Sequence, residues 1–138
     1  MRLVSATDDR RLTRAAERPL KELREFTGET VNLGVLRLRR VAYLMVMECR
    51  QPLQRSVVAG MTDPFASTAL GRAIAAHLPD DRVAYLLRTT PLEKRTPYTK
   101  LSSDSLRKLF LEARANGYAT EENETDLGVM CVGSAVFD

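Results

Sequence analysis

Four groups of residues in this sequence have side chains or backbone that could do chemistry: the acidic run Glu121, Glu122, Glu124 and Asp126; the thiols Cys49 and Cys131; the single histidine, His77; and the stretch Ser67-Thr68-Ala69-Leu70. Clustered carboxylates can share a proton as a general acid and base or clamp a hard cation, but at a strand end such a cluster is ordinarily solvated, and that is the expectation here. The two cysteines sit inside apolar runs and form no CxxC pair, so reduced, buried thiols are expected rather than a disulfide or a metal site. Cys131, flanked by Val129, Met130 and Val132, reads first as a core thiol and second as a pocket-lining one. A nucleophile ranks last, because no partner base is visible. His77 falls late in a helical pattern, where it would meet the last carbonyls at the surface. With one histidine, a Ser/His/Asp triad or a zinc site has little to build on. The stretch from Ser67 to Leu70 opens a helix, and a helix start offers unpaired amide hydrogens and a positive dipole end to a carboxylate or phosphate. Capping by Ser67 or Thr68 would satisfy the same amides, and both readings stand at this point.

The elements that must position these groups follow from periodicity. Leu12, Ala16, Leu20 and Leu23 recur at helical spacing, with Thr7-Asp8-Asp9 as a start and Gly28 as a stop, which predicts a helix over 7–27. Pro19 should kink or break it near Arg18. From Thr30 the period becomes two, with Val31, Leu33 and Val35 on one face. Val41 to Glu48 is apolar on both faces, as in a central strand, and Arg37 to Arg40 form the turn between them. Leu53 to Val58 predicts a third strand. A helix capped by Ser67 or Thr68 should bury Leu70, Ile74 and Leu78 and end at Pro79. A short helix over 80–88 buries Val83 and Leu87, a proline-bearing loop runs to Leu101, and Ser103 opens a helix carrying Leu106, Phe110 and Ala113 that Gly117 ends. Tyr118 to Asn123 and Val129 to Phe137 complete the sheet. Strands linked by hairpins, with helices grouped after them, predict an α+β domain with a mainly antiparallel sheet and flanking helices.

The chain of 138 residues has room for one ordinary domain, and 44% hydrophobic with 28% charged residues is a globular composition, not a disordered or collagen-like one. No apolar stretch approaches the ~20 residues that a membrane-spanning helix needs, and Asp8 to Arg11 occupy the place of a signal peptide's apolar centre, so a cytoplasmic protein with no membrane association is expected. The net charge of +3 is modest. Its basic excess lies in residues 1–24 without interleaved aromatics, which reads first as a solvated helix face and second as a phosphate-binding surface.

Taken together, Thr27-Gly28-Glu29-Thr30-Val31-Asn32-Leu33, Val41-Ala42-Tyr43-Leu44, Pro64 with Thr68-Ala69-Leu70-Gly71-Arg72-Ala73, and Gly117-Tyr118 leading through Glu124 to Gly128-Val129-Met130-Cys131-Val132 resemble, in order and spacing, the effector-binding domain of IclR-family transcriptional regulators. The resemblance implies a GAF-like fold that binds a small organic or aromatic acid, performs no catalysis, and signals through a linker helix to a winged helix-turn-helix. On the residues that match, it places effector contacts at the Ala69 and Leu70 amides, at Glu121 and at Cys131, with Thr68 and Val129 beside them. No metal and no cofactor are implied. The partners expected are a small-molecule effector, a carboxylate, and a second copy in a homo-oligomer. DNA would be reached only through a winged-helix domain absent from this chain.

Three departures from the family pattern qualify this. Glu121 stands where Asp or Ser is preferred and would reach further into the pocket. Ala66 replaces a histidine common before the helix. The chain stops at Asp138, where the family continues through a hydroxyl-bearing strand and a final helix. The expected division is therefore a linker helix over 1–18 and an effector-binding domain over 19–138 that is incomplete at its C-terminus. The alternative is a truncated module that pairs with full-length regulators without binding ligand, through its sheet edge or first helix. A redox enzyme using Cys131 or Cys49 would need a second cysteine in reach, and DNA binding by the basic first helix ranks below it.

Overall fold

The acidic residues Asp8 and Asp9 lie in the first turn of helix α1 (Ala6–Thr27) and Arg24 in its last, each sign complementing the helix dipole at its end. The computed structural model describes residues 6–50 and 57–137. Leu12, Ala16 and Leu20, spaced four apart, form the half-buried stripe of α1, while the arginines at 10, 11, 14 and 18 are exposed. This is the solvated basic face that the charge pattern predicts. The expected break at Pro19 does not occur, and the helix runs through it. The proline ring faces solvent, and an Arg18–Glu22 ion pair of 2.8 Å spans the same turn. Gly28 closes the helix in the left-handed region at φ +74°, its amide donating to Arg24 O at 2.8 Å.

Strands β1 (Val31–Arg37) and β2 (Arg40–Met47) form a hairpin whose turn holds Leu38 at φ +54°. The sheet order is β1-β2-β3, with β3 at Thr62–Pro64, so β2 is central as expected. Val41 and Tyr43 are buried on one face of β2, while Met45 and Met47 further along that face and the residues of the other face are half-buried. The predicted third strand does not appear as such. Positions 53–56 lie outside the described residues, and Val57 and Val58 are not in a strand. Gly60, at φ +92°, turns the chain back along β2: its amide reaches Tyr43 O at 2.9 Å, and Met61 O accepts from the Tyr43 amide at 3.0 Å, which leads into β3.

The chain divides into two compact units, residues 1–35 with 42–61, and residues 36–41 with 62–138. The second holds helices α2 (Ala69–Ala75), α3 (Asp80–Thr89) and α4 (Ser103–Asn116) and strands β4 (Ala119–Glu122) and β5 (Met130–Gly133). Its core gathers Phe65, Ala73, Val83, Leu86, Leu106 and Phe110. Helix α4 opens at Ser103, buries Leu106, Phe110 and Ala113 and ends at Gly117 (φ +82°) as the sequence predicts, and Ser102 is its cap. Helix α2 corrects the sequence reading. Leu70, Ile74 and Leu78 are only half-buried, and the buried face is Ala69, Gly71, Arg72, Ala73 and Ala75. The reason is close approach: a Cβ at Gly71 would lie 2.1 Å from Phe65 O, so small residues take the fully buried face and Leu70 and Leu78 pack at the edge of the core.

Strands β4 and β5 pair antiparallel as a two-stranded sheet of their own, with Ala119 opposite Gly133 and Glu121 opposite Cys131. Strand β5 is shorter than the predicted 129–137. The chain beyond it brings Phe137 edge-on to His77 at 4.9 Å between ring centroids, which places the histidine at the surface as expected, against an aromatic ring. Among the described residues no helix is long and apolar enough to cross a membrane.

Candidate functional site

Thr68 precedes α2 in an extended conformation (φ −103°, ψ 144°), and its Oγ1 accepts the Gly71 amide at 3.1 Å while donating to Pro64 O at 3.0 Å. Its carbonyl accepts from the Arg72 amide at 3.0 Å. This cap uses the amides of Gly71 and Arg72 and leaves those of Ala69 and Leu70 outside it. Of the two capping candidates, Thr68 is the cap. Ser67 Oγ is buried without a partner in the structure.

Gly133 brings β5 against those two residues. A Cβ built on it would lie 2.7 Å from Ala69 C and O and 2.9 Å from Leu70 N, so only glycine lets the strand pass the helix start at this distance. Directly opposed residues of an antiparallel pair, and residues two apart on one strand, share a face. Ala119, Glu121, Cys131 and Gly133 therefore line the same face of the β4–β5 pair, the one turned to α2. Ala119, Glu121 and Gly133 are buried, whereas Cys131 is exposed. The face is sealed at the Gly133 end and open at Cys131. The expected buried thiol at Cys131 is thus overturned: β4 is its one strand neighbour among the described residues, and the side chain is exposed to solvent. Cys49 is half-buried. Thr30 Oγ1 accepts from its amide at 3.0 Å.

The acidic run is a second correction. Glu122 is exposed, but Glu121 is 1% and Glu124 is 5% exposed. Glu121 folds back on its own turn, its Oε1 accepting the amides of Glu124 and Thr125 at 2.8 Å each. Thr125 Oγ1 in turn donates to Ser67 O at 3.1 Å, which ties the turn to the segment entering α2. Val129 O accepts the Asn123 amide at 2.8 Å and closes the same turn from its other side. The structure therefore brings Thr68, Ala69, Leu70, Glu121 and Cys131 to one place, with half-buried Val129 at the base of the turn. Among the described residues no group of three or more His, Cys, Asp and Glu is placed to hold a metal ion.

A buried bidentate ion pair ties this region together, and no local sequence pattern pairs its two residues. Arg72, 2% exposed, clasps Glu124 with both ends of its guanidinium, Nη1 to Oε2 at 2.7 Å and Nη2 to Oε1 at 2.6 Å. Its Nε donates to Ala66 O at 2.8 Å and Nη1 also to Thr120 O at 3.1 Å. The signal was present: an arginine on a helix face made of Ala and Gly can be buried only if a carboxylate meets it. Ala66, in place of a histidine, contributes its carbonyl.

A small cavity of about 10 Å³, enough for roughly one water, opens elsewhere, between Phe65–Ser67 and the loop of Thr90, Leu92 and Lys100. It includes neither Glu121 nor Cys131.

Residues 4–138 match the family model described as bacterial transcriptional regulator IclR C-terminal. The chain is 28% identical over 127 residues to the HTH-type transcriptional regulator KdgR of Escherichia coli, covering 92% of this chain and 48% of that protein. It is 31% identical over 121 residues to the acetate operon repressor of Salmonella typhimurium, covering 86% and 44%. These relatives are transcriptional regulators and repressors, not enzymes. The chain spans less than half the length of each. The crystal structure of Thermotoga maritima IclR superposes with a TM-score of 0.88 at 30% identity over 91% of this chain and 51% of that one. An IclR homolog from Microbacterium hydrocarbonoxydans complexed with 4-hydroxybenzoate shares the fold, with a TM-score of 0.88 at 18% identity, over 94% of this chain and 54% of that one. The α+β architecture and the match over nearly every residue agree, and the chain belongs to the IclR C-terminal family of bacterial transcriptional regulators.

Proposed function

We propose that this chain is the effector-sensing part of a cytoplasmic, homo-oligomeric IclR-type regulator. It would bind a small organic or aromatic carboxylate at the start of α2 and control DNA binding by a separate winged-helix domain. The observation that carries the reading is Cys131, the exposed residue on an otherwise buried face shared with Glu121 and with Gly133, which abuts Leu70. In that arrangement a solvent-exposed thiol and a buried carboxylate share one face, and the two helix-start amides outside the Thr68 cap lie beside it. A carboxylate ligand is favoured at the amides by hydrogen bonding and by the helix dipole. Glu121 accepts hydrogen bonds and repels a second anion, so the effector would turn a hydroxyl or other donor toward it. Thr68 and Val129 would shape the walls. Residues 1–18 would act as linker and 19–138 as sensor.

Calorimetric titration with 4-hydroxybenzoate and a panel of short aliphatic carboxylates tests this. Saturable one-site binding is expected, with a rise in melting temperature that grows with ligand concentration. A folded chain that binds none of them would lack the pocket. One observation favours a second reading, a pairing module without ligand: Met130 and Val132 on β5 are each 65% exposed. That reading predicts mixed oligomers with full-length regulators and no calorimetric signal.

A further inference from the structure

We propose that Arg72 is a positioning residue for the effector site, holding Glu121 and its turn in register with the start of α2 through Glu124. This rests on the functional reading above only for its consequence in ligand affinity. The geometry stands on its own bonds. One guanidinium joins the segment before α2 (Ala66 O), strand β4 next to Glu121 (Thr120 O) and both carboxylate oxygens of Glu124. Glu124 also fixes the loop between α3 and α4: its Oε1 accepts the Lys100 amide at 2.9 Å, and its carbonyl accepts from Thr99 Oγ1 at 2.7 Å. The Glu124 amide donates to Glu121 Oε1. Arg72 and Glu121 are thus joined through one buried residue, the guanidinium holding the Glu124 side chain and the Glu121 carboxylate holding the Glu124 amide. A planar fork bonding in three directions fixes orientation as well as distance, which a lysine ammonium on a flexible stem does not.

The consequence is specific. Loss of the fork should free the 122–126 turn while leaving α4 and the core packed. The test compares Arg72→Lys with the unaltered chain by amide hydrogen exchange and by titration with 4-hydroxybenzoate, at a temperature where both are folded. Glu124→Gln, which keeps the side-chain volume, serves where the lysine variant is unstable. Exchange at the Glu124 and Thr125 amides should accelerate about tenfold or more, with the α4 amides of Phe110 and Ala113 unchanged, and the dissociation constant should rise by a similar factor. Uniform acceleration across α4 and the turn, or none, overturns the proposal, since a merely structural pair would loosen everything together. Selective exchange with an unaltered dissociation constant also overturns it. If the unaltered chain binds no probe, selective exchange supports the positioning role and the functional reading fails by itself.

Discussion

Glu121 and Cys131 face each other across the β4–β5 pair, on the same side of the sheet, yet the carboxylate is buried and the thiol is open to solvent. Opposed side chains on one face usually share an environment. Here the environment changes within one residue pair, because Glu121 bends under its own turn while the Cys131 side chain stays exposed. The function proposed above would put a small ligand at the boundary between the two.

Cys131 should therefore react with a maleimide or iodoacetamide faster than half-buried Cys49. Bound effector should slow the reaction at Cys131 and leave Cys49 untouched. Mass spectrometry of timed labelling, with and without 4-hydroxybenzoate, reads both rates. Equal slowing at the two thiols would indicate general stabilisation and not occupancy beside Cys131.

Two adjacent hydroxyls should behave oppositely. Thr68→Ala removes the cap on Gly71 and the bond to Pro64 O, and should cost about 1 kcal/mol or slightly more. Ser67→Ala removes a buried oxygen that has no partner, and should be neutral or stabilise by up to about 1 kcal/mol. Urea denaturation of both variants decides it; a Ser67→Ala loss as large as that of Thr68→Ala would mean that the Ser67 hydroxyl has a partner in solution.

Removing one half of the buried ion pair should be far worse than removing both. Arg72→Met leaves Glu124 buried and uncompensated, at a cost of about 3–5 kcal/mol, whereas the double variant Arg72→Met/Glu124→Leu should recover much of that loss. The comparison is a double-mutant cycle read by denaturant midpoints. Additive losses would show that the two side chains do not interact.

Much of this architecture is legible in the sequence, because periodicity and punctuation are local signals. The α4 stripe, its Gly117 stop, the β1–β2 hairpin and a cap at Ser67 or Thr68 all follow from residue type and spacing. The failures have a shared cause. Glu124 looks solvated because its partner, Arg72, is 52 positions away, and Leu70, Ile74 and Leu78 look fully buried because nothing local reveals that Phe65 presses against Gly71. Cys131 looks buried because its apolar neighbours imply a covered strand, while burial is set by what packs on the strand. Residue type and spacing single out candidates at the helix start and on β4 and β5; their partners, Arg72, Thr125 and Gly133, depend on long-range geometry.

Gly133 offers the sharpest separation of site from scaffold. A Cβ there would press within 3 Å of backbone atoms of Ala69 and Leu70, none of which can swing aside, so Gly133→Ala must push β5 from the helix start or shift α2. Overpacking of this kind costs about 1–3 kcal/mol. Gly117→Ala is the matched control: its Cβ meets nothing within 4 Å, and its left-handed φ of +82° alone sets a cost of about 1 kcal/mol. Both variants lose stability, but only Gly133→Ala moves the amides of Ala69 and Leu70 relative to Glu121 and Cys131. Titration with 4-hydroxybenzoate should show affinity reduced at least tenfold for Gly133→Ala and unchanged for Gly117→Ala. Equal affinities in the two would place the effector away from the α2 start, since a ligand held there cannot ignore a methyl group built against its amides.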